Sequence, residues 1–128
     1  MCFYYGMGKQ MAVREIGSGR NQHVGTLQMD GETMGPIVLE IMRTGINYQF
    51  NLRPVAERGA RHLQKEGLQC EFDMPCTIEN IAIRNAEEAT RAAVTVRNNL
   101  HEKYGVDFNV REIGESLITN LTAARGQG

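Results

Sequence analysis

Residues 37–52, Ile37-Val-Leu-Glu-Ile-Met-Arg-Thr-Gly-Ile-Asn-Tyr-Gln-Phe-Asn-Leu52, decide the fold class. In the second half of this stretch Ile46, Tyr48, Phe50 and Leu52 alternate with Asn47, Gln49 and Asn51. That period of two is what a strand with one buried and one wet face requires. Thr44-Gly45 supplies a turn ahead of it, and Ile37–Met42 is an apolar run interrupted only by Glu40. Such a run suits a buried strand, although Pro36 also fits the first position of a short buried helix. Upstream, Val24, Thr26 and Gln28 alternate with Gly25, Leu27 and Met29 across His23–Met29. Asp30-Gly31 follows, a pair favoured in tight type I′ hairpins because both central positions take positive φ. Met11–Ile16 reads as a further strand, separated by the polar turn GSGRN at 17–21. The first half is therefore an antiparallel meander.

Beyond Leu52 the pattern changes. Pro54 fits the start and Gly67 the end of a helix near residues 54 to 66, with Gly59 lowering its intrinsic propensity by about 1 kcal/mol relative to alanine. Leu68, Cys70, Phe72 and Met74 alternate with Gln69, Glu71 and Asp73, the pattern of another strand, which Pro75 terminates. Thr77–Ile83 adds a short strand or a turn. Asn85 and Asn109 each precede a glutamate by three residues, Glu88 and Glu112, which is the spacing of a capped helix start. The first of these helices carries the apolar stripe Ala89, Ala93, Val96, Leu100 and Tyr104 and stops at Gly105; the second carries Ile113, Leu117 and Leu121. Val106–Val110 is either a connection or an edge strand. The expectation is one α+β domain over residues 1–128, with an antiparallel β-meander, one inserted helix, and two C-terminal helices packed on the sheet. Residues 1–10 and the tail ARGQG at 124–128 are expected to be flexible.

Composition narrows the function classes. The chain has 128 residues, 41% of them hydrophobic, and a net charge of −1. One core that buries roughly two thirds of the unfolded surface is expected at this size. A general nucleic-acid coat and a polybasic membrane binder both depend on a large positive field, which this balance lacks. No apolar run approaches the roughly 18 residues of a membrane span, and the N-terminus lacks the form of a signal peptide, so the chain reads as cytoplasmic. Cys2, Cys70 and Cys76 are odd in number and lack zinc-site spacing; they are expected as reduced thiols, with Cys70 in the core.

The charged residues give the functional reading. Within RPVAERGARHLQK, 53–65, Arg58, Arg61, His62 and Lys65 fall at i, i+3, i+4 and i+7 and share one face of a helix. Arg53 stands near the expected helix N-terminus, whose dipole favours an anion. A second row, Arg91, Val94, Asn98 and His101, follows the polar face of the helix after Asn85. The expected ligand-binding residues are thus Arg53, Arg58, Arg61, His62, Lys65, Arg91 and Asn98, and the expected ligand is an anion. It is a nucleotide-like small molecule or an acidic protein surface, captured without catalysis, cofactor or metal. A sequestering or inhibitory protein of the kind small viral and mobile-element genomes encode has this profile, and leftover apolar surface favours a homo-oligomer.

Two other readings follow from shorter signals. Tyr48-Gln-Phe-Asn-Leu-Arg53 ahead of a helix resembles the DNA-reading strand of ribbon-helix-helix repressors, which implies that Gln49, Asn51 and Arg53 enter the major groove. The chain departs from that family where the next segment returns to a strand instead of a second helix. A small enzyme with an acidic site is the other reading, built on Glu71, Asp73 and a histidine from elsewhere. His23, His62 and His101 are far apart and form no HxxxH pair, and neither Cys70 nor Cys76 has a neighbouring base in sequence.

Overall fold

A computed structural model describes residues 22–127, with side chains through Thr122. The expected strand Met11–Ile16 and the turn after it lie outside the described residues. Four antiparallel strands, β1 (Gln22–Gly31), β2 (Gly35–Thr44), β3 (Asn47–Pro54) and β4 (Cys76–Ala82), form one sheet in sequence order. Helix α1 (Glu57–Lys65) is inserted between β3 and β4, and α2 (Ala86–Tyr104) and α3 (Val110–Gln127) close the chain. The α+β architecture expected from the sequence is the one observed. No helix among the described residues is long and apolar enough to cross a membrane.

Register explains the two faces. Ile37, Leu39 and Ile41 of β2 stand opposite Pro54, Leu52 and Phe50 of β3, and Arg43 stands opposite Tyr48. Ile37, Leu39, Ile41, Tyr48, Phe50 and Leu52 are all fully buried. They join Ala89, Ala93, Val96 and Leu100 of α2 with Ile113 and Leu117 of α3 in one core. The alternate residues Glu40, Gln49, Asn51 and Arg53 occupy the other face, so the period of two seen in the sequence becomes the division between core and polar surface.

Ile37–Met42 is a strand. Its mostly apolar character fits the centre of the sheet, flanked by β1 and β3, where Val38 is 4% exposed even on the face away from the core. The turn expected at Asp30-Gly31 is displaced: Gly31 still pairs with Gly35, and the loop is Glu32–Met34. Gly35 adopts φ +71°, the left-handed residue that a three-residue hairpin uses, and it outcompetes the tighter turn. The turn expected at Thr44-Gly45 is shifted by one residue: Thr44 still pairs with Asn47, Gly45 at φ +63° and Ile46 make the turn, and Ile46 lies exposed outside β3 instead of on its buried face.

Two boundaries differ from the sequence reading. Pro54 does not open the helix; it pairs with Ile37 as the last residue of β3, and α1 begins at Glu57 after Ala56. Leu68–Met74 is not a strand. The edge of β3 that it would need is occupied by β4, and the segment turns on itself through Cys70 N–H to Leu68 O and Met74 N–H to Glu71 O. Its alternation breaks accordingly, with Leu68 and Cys70 buried and Phe72 and Met74 half exposed. The expected short strand at Thr77–Ile83 is β4. Val106–Val110 is a connection rather than an edge strand, with Val110 opening α3. Both asparagine starts are observed: Asn85 Oδ1 accepts from Glu88 N–H at 2.9 Å, and Asn109 Oδ1 accepts from Arg111 N–H at 2.8 Å.

The placement of α1 depends on Gly59. A Cβ there would lie 2.6 Å from the Met34 carbonyl oxygen, so the helix can rest on the β1–β2 loop only because this residue has no side chain. Gly59→Ala tests this directly. Helix propensity alone would stabilise the variant by about 1 kcal/mol. We expect instead a net loss of about 1 to 3 kcal/mol in urea unfolding, as overpacking displaces α1.

Candidate functional site

Leu63 is fully buried and Ala60 nearly so, which fixes one side of α1 against the core. Arg58, Arg61 and Lys65 are thereby left exposed on the opposite side. Together with His62 and Thr33 of the β1–β2 loop they line an open depression of about 310 Å³. The spacing read from the sequence therefore becomes a physical cluster, and the β1–β2 loop adds Thr33. Sequence alone gives no signal for Thr33, because its position follows from the seating of Gly59 on Met34.

The four basic residues are not equivalent. Arg61 is 3.6 Å from Glu57, its partner one turn earlier, and both side chains are well exposed. Such a pair contributes little to stability, about 0.3 to 0.5 kcal/mol. His62 Nε2 donates to the Tyr104 carbonyl at 2.9 Å, a bond that ties α1 to the last turn of α2 and leaves Nδ1 as its remaining polar atom. Arg58 and Lys65 have no carboxylate partner among the described residues. Arg58 extends over the β1–β2 loop, its Nη2 lying 3.0 Å from where a Cβ on Gly35 would be.

Arg53 is placed elsewhere. It lies on the polar face of the sheet with Nη1 2.7 Å from Asp73 Oδ1 and Nε 3.6 Å from Glu40 Oε1. Two carboxylates neutralise it. The same contact anchors the segment before β4, because Asp73 N–H also donates to the Pro54 carbonyl at 2.8 Å while Asp73 holds φ +60°. Arg91 pairs with Glu87 at 3.3 Å on the exposed side of α2. Asn98 is exposed on the same helix, and Val94 between them is 41% exposed. Arg91 stands thirteen residues before Tyr104, the point where α2 meets His62, or roughly 20 Å along the axis. Arg53, Arg91 and Asn98 thus do not join the α1 cluster.

The groups named for the other two readings are engaged with one another. Gln49 Nε2 donates to Asn51 Oδ1 at 3.0 Å and to Thr77 Oγ1 at 2.9 Å, and Thr77 Oγ1 donates to Asn51 Oδ1 at 2.8 Å. Asn51 is only 8% exposed, and β3 is an interior strand of the sheet. Asp73 is held by Arg53, and Glu71 lines a different depression with Glu57, Ala60, Arg61, Gln64 and Phe72. The histidines have separate partners: His23 bonds Thr26, His62 bonds Tyr104, and His101 Nδ1 lies 3.0 Å from Asp107. No group of three metal-ligating side chains occurs among the described residues. Cys70 is buried, as expected, and burial first, then the neighbouring Cys76 side chain, pushes its thiol far above the ordinary range. Comparison of the chain with protein-family models, curated proteins and solved structures finds no match.

Stability measurements separate the holding role from the exposed one. His62→Ala removes the bond to Tyr104 and leaves that carbonyl without its donor, for an expected loss of about 1 to 2 kcal/mol in urea unfolding. Arg58→Ala and Lys65→Ala, which remove exposed unpaired groups, are expected to fall within about 0.5 kcal/mol of the parent.

Proposed function

We propose that this chain is a non-catalytic binding protein that captures an anionic group through the outer face of α1. The carrying observation is positive charge gathered and uncancelled: Arg58 and Lys65 have no carboxylate partner among the described residues and share a depression with Arg61, His62 and Thr33, whereas Arg43 and Lys103, which also lack one, line no part of it. Elsewhere Arg53, Arg84, Arg91, Arg97 and Arg111 each sit within 4 Å of an acidic side chain. A guanidinium presents a rigid donor fork suited to phosphate and carboxylate, and Lys65 adds a mobile point charge. Thr33 offers a hydroxyl and His62 its Nδ1 for further polar contacts.

The size of the depression bears on the ligand. Ligand pockets occupy roughly 300 to 1,000 Å³, so about 310 Å³ in an open cleft accommodates a charged group rather than a whole cofactor. A phosphate or carboxylate seats there while the rest of a nucleotide, or of an acidic protein, projects outward. Sequestration or inhibition of the molecule bearing that group is the activity consistent with such a surface. Glu57 opposes it only locally, because an incoming anion can take over the guanidinium that Arg61 shares with Glu57 at 3.6 Å.

The test uses tripolyphosphate, ATP and polyglutamate as probes in thermal unfolding. Ligand at a hundred times its Kd stabilises the folded state by about 2.7 kcal/mol. At least one probe is expected to raise the Tm of the parent, and Arg58→Glu combined with Arg61→Glu is expected to abolish that rise while leaving the unliganded fold intact. An equal rise in parent and variant, or no rise with any probe, contradicts the proposal.

A further inference from the structure

Cys70 and Cys76 bracket the turn between α1 and β4, and both approach the same residue of β3. Cys76 is the Cα partner of Leu52 in the sheet, and the Cys70 thiol lies 3.7 Å from the Leu52 carbonyl. Cα atoms of directly paired antiparallel residues are about 4.5 to 5.5 Å apart. The Cys76 thiol in turn lies 3.6 Å from the carbonyl of Gln69, the residue before Cys70. Both thiols are free. They differ in access: Cys70 is fully buried and Cys76 partly exposed.

The loop they enclose is tied down at its centre as well as at its ends. Asp73 is fixed to β3 by its N–H and by Arg53, and the Cys70 carbonyl accepts from Gln64 Nε2 of α1 at 2.8 Å. Phe72 and Met74, on either side of Asp73, are 50% and 55% exposed. Each thiol makes one weak contact to a backbone carbonyl, Cys70 to Leu52 and Cys76 to Gln69.

We propose that Cys70 and Cys76 form a reversible intramolecular disulfide, with the partly exposed Cys76 as the sulfur that reacts first and the buried Cys70 as the one that resolves. With a low-molecular-weight disulfide as oxidant, the Cys76 thiolate attacks one sulfur, forms a mixed disulfide and expels one thiolate. Cys70 then gives up its proton to solvent and attacks Cys76 Sγ, which breaks the mixed disulfide and expels the second thiolate. The two protein thiols lose two protons and two electrons, and the small disulfide is reduced to two thiols. Because burial holds the Cys70 thiol protonated, the second step is the slow one and accelerates as pH rises. The product closes the residues from Glu71 to Pro75, with Phe72 and Met74, into a ring fastened to β4.

The experiment treats full-length Cys2→Ser protein, folded and at pH 8, with oxidised glutathione, then alkylates it under denaturing conditions for intact mass and peptide mapping. The expected result is a species lighter by two hydrogens, with a peptide link between Cys70 and Cys76 that dithiothreitol reverses. Cys70→Ser is expected to stop at a glutathione adduct on Cys76, and Cys76→Ser to give neither adduct nor disulfide, showing the order of reaction. Two results overturn the proposal: a parent that accumulates only the Cys76 adduct while Cys70 remains alkylatable, and a parent in which both thiols stay unreacted. Formation of the link only after unfolding in urea also overturns it.

Discussion

Contact between Gly59 and the Met34 carbonyl is the constraint on which the candidate site depends. It allows α1 to lie directly on the β1–β2 loop, and it sets which side of the helix faces solvent. Leu63 in the core and the His62 bond to Tyr104 then hold the helix at two further points, one on the sheet side and one at the end of α2. A helix of nine residues has little stability of its own in water, so its position is set by these three contacts and not by propensity. What remains outside is Arg58, Arg61 and Lys65. The charge cluster is therefore a consequence of how the helix is seated, and Thr33 joins it because the loop that carries Met34 carries Thr33 as well.

Cancellation of charge elsewhere gives the cluster its contrast. Most arginines among the described residues are matched by a carboxylate, either one helical turn away, as in Arg91 with Glu87 and Arg111 with Glu115, or across the fold, as in Arg97 with Asp107. These exposed pairs add little to stability, with a typical value of 0 to 1 kcal/mol. They matter for the field around the protein. With a net charge of −1, an anion meets attraction only where positive groups are grouped and unmatched. Arg53 shows the opposite outcome, since Asp73 and Glu40 turn a guanidinium into a clamp for the segment ahead of β4.

Local periodicity carried most of the fold. Alternation from Asn47 to Leu52 is a property of the strand itself, and the asparagine starts of α2 and α3 are made by bonds spanning two or three residues, so both were legible without tertiary information. Where long-range competition decides, sequence reading failed. Leu68–Met74 has strand-like alternation, yet β4 takes the available edge of β3 and Asp73 N–H turns to Pro54 instead. Pro54 looked like a helix start, but its pairing with Ile37 extends β3 through it. The site divides in the same way. Arg58, Arg61, His62 and Lys65 were legible because helical spacing brings them together. Arg53 was grouped with them through a helix start that falls later than expected, and Arg91 and Asn98 through a row on another helix; the separation between β3, α1 and α2 is not encoded in any short stretch.

The central claim is that the outer face of α1, with Thr33, is where an anion binds. Titration of uniformly ¹⁵N-labelled protein with tripolyphosphate, followed by amide chemical shifts at low salt, tests it residue by residue. Saturable shifts are predicted at Thr33, Arg58, Arg61, His62 and Lys65, with the amides of Gln49, Asn51, Arg91 and Asn98 unmoved. Shifts confined to the α2 row or to β3, or no saturable shift anywhere, would contradict the account.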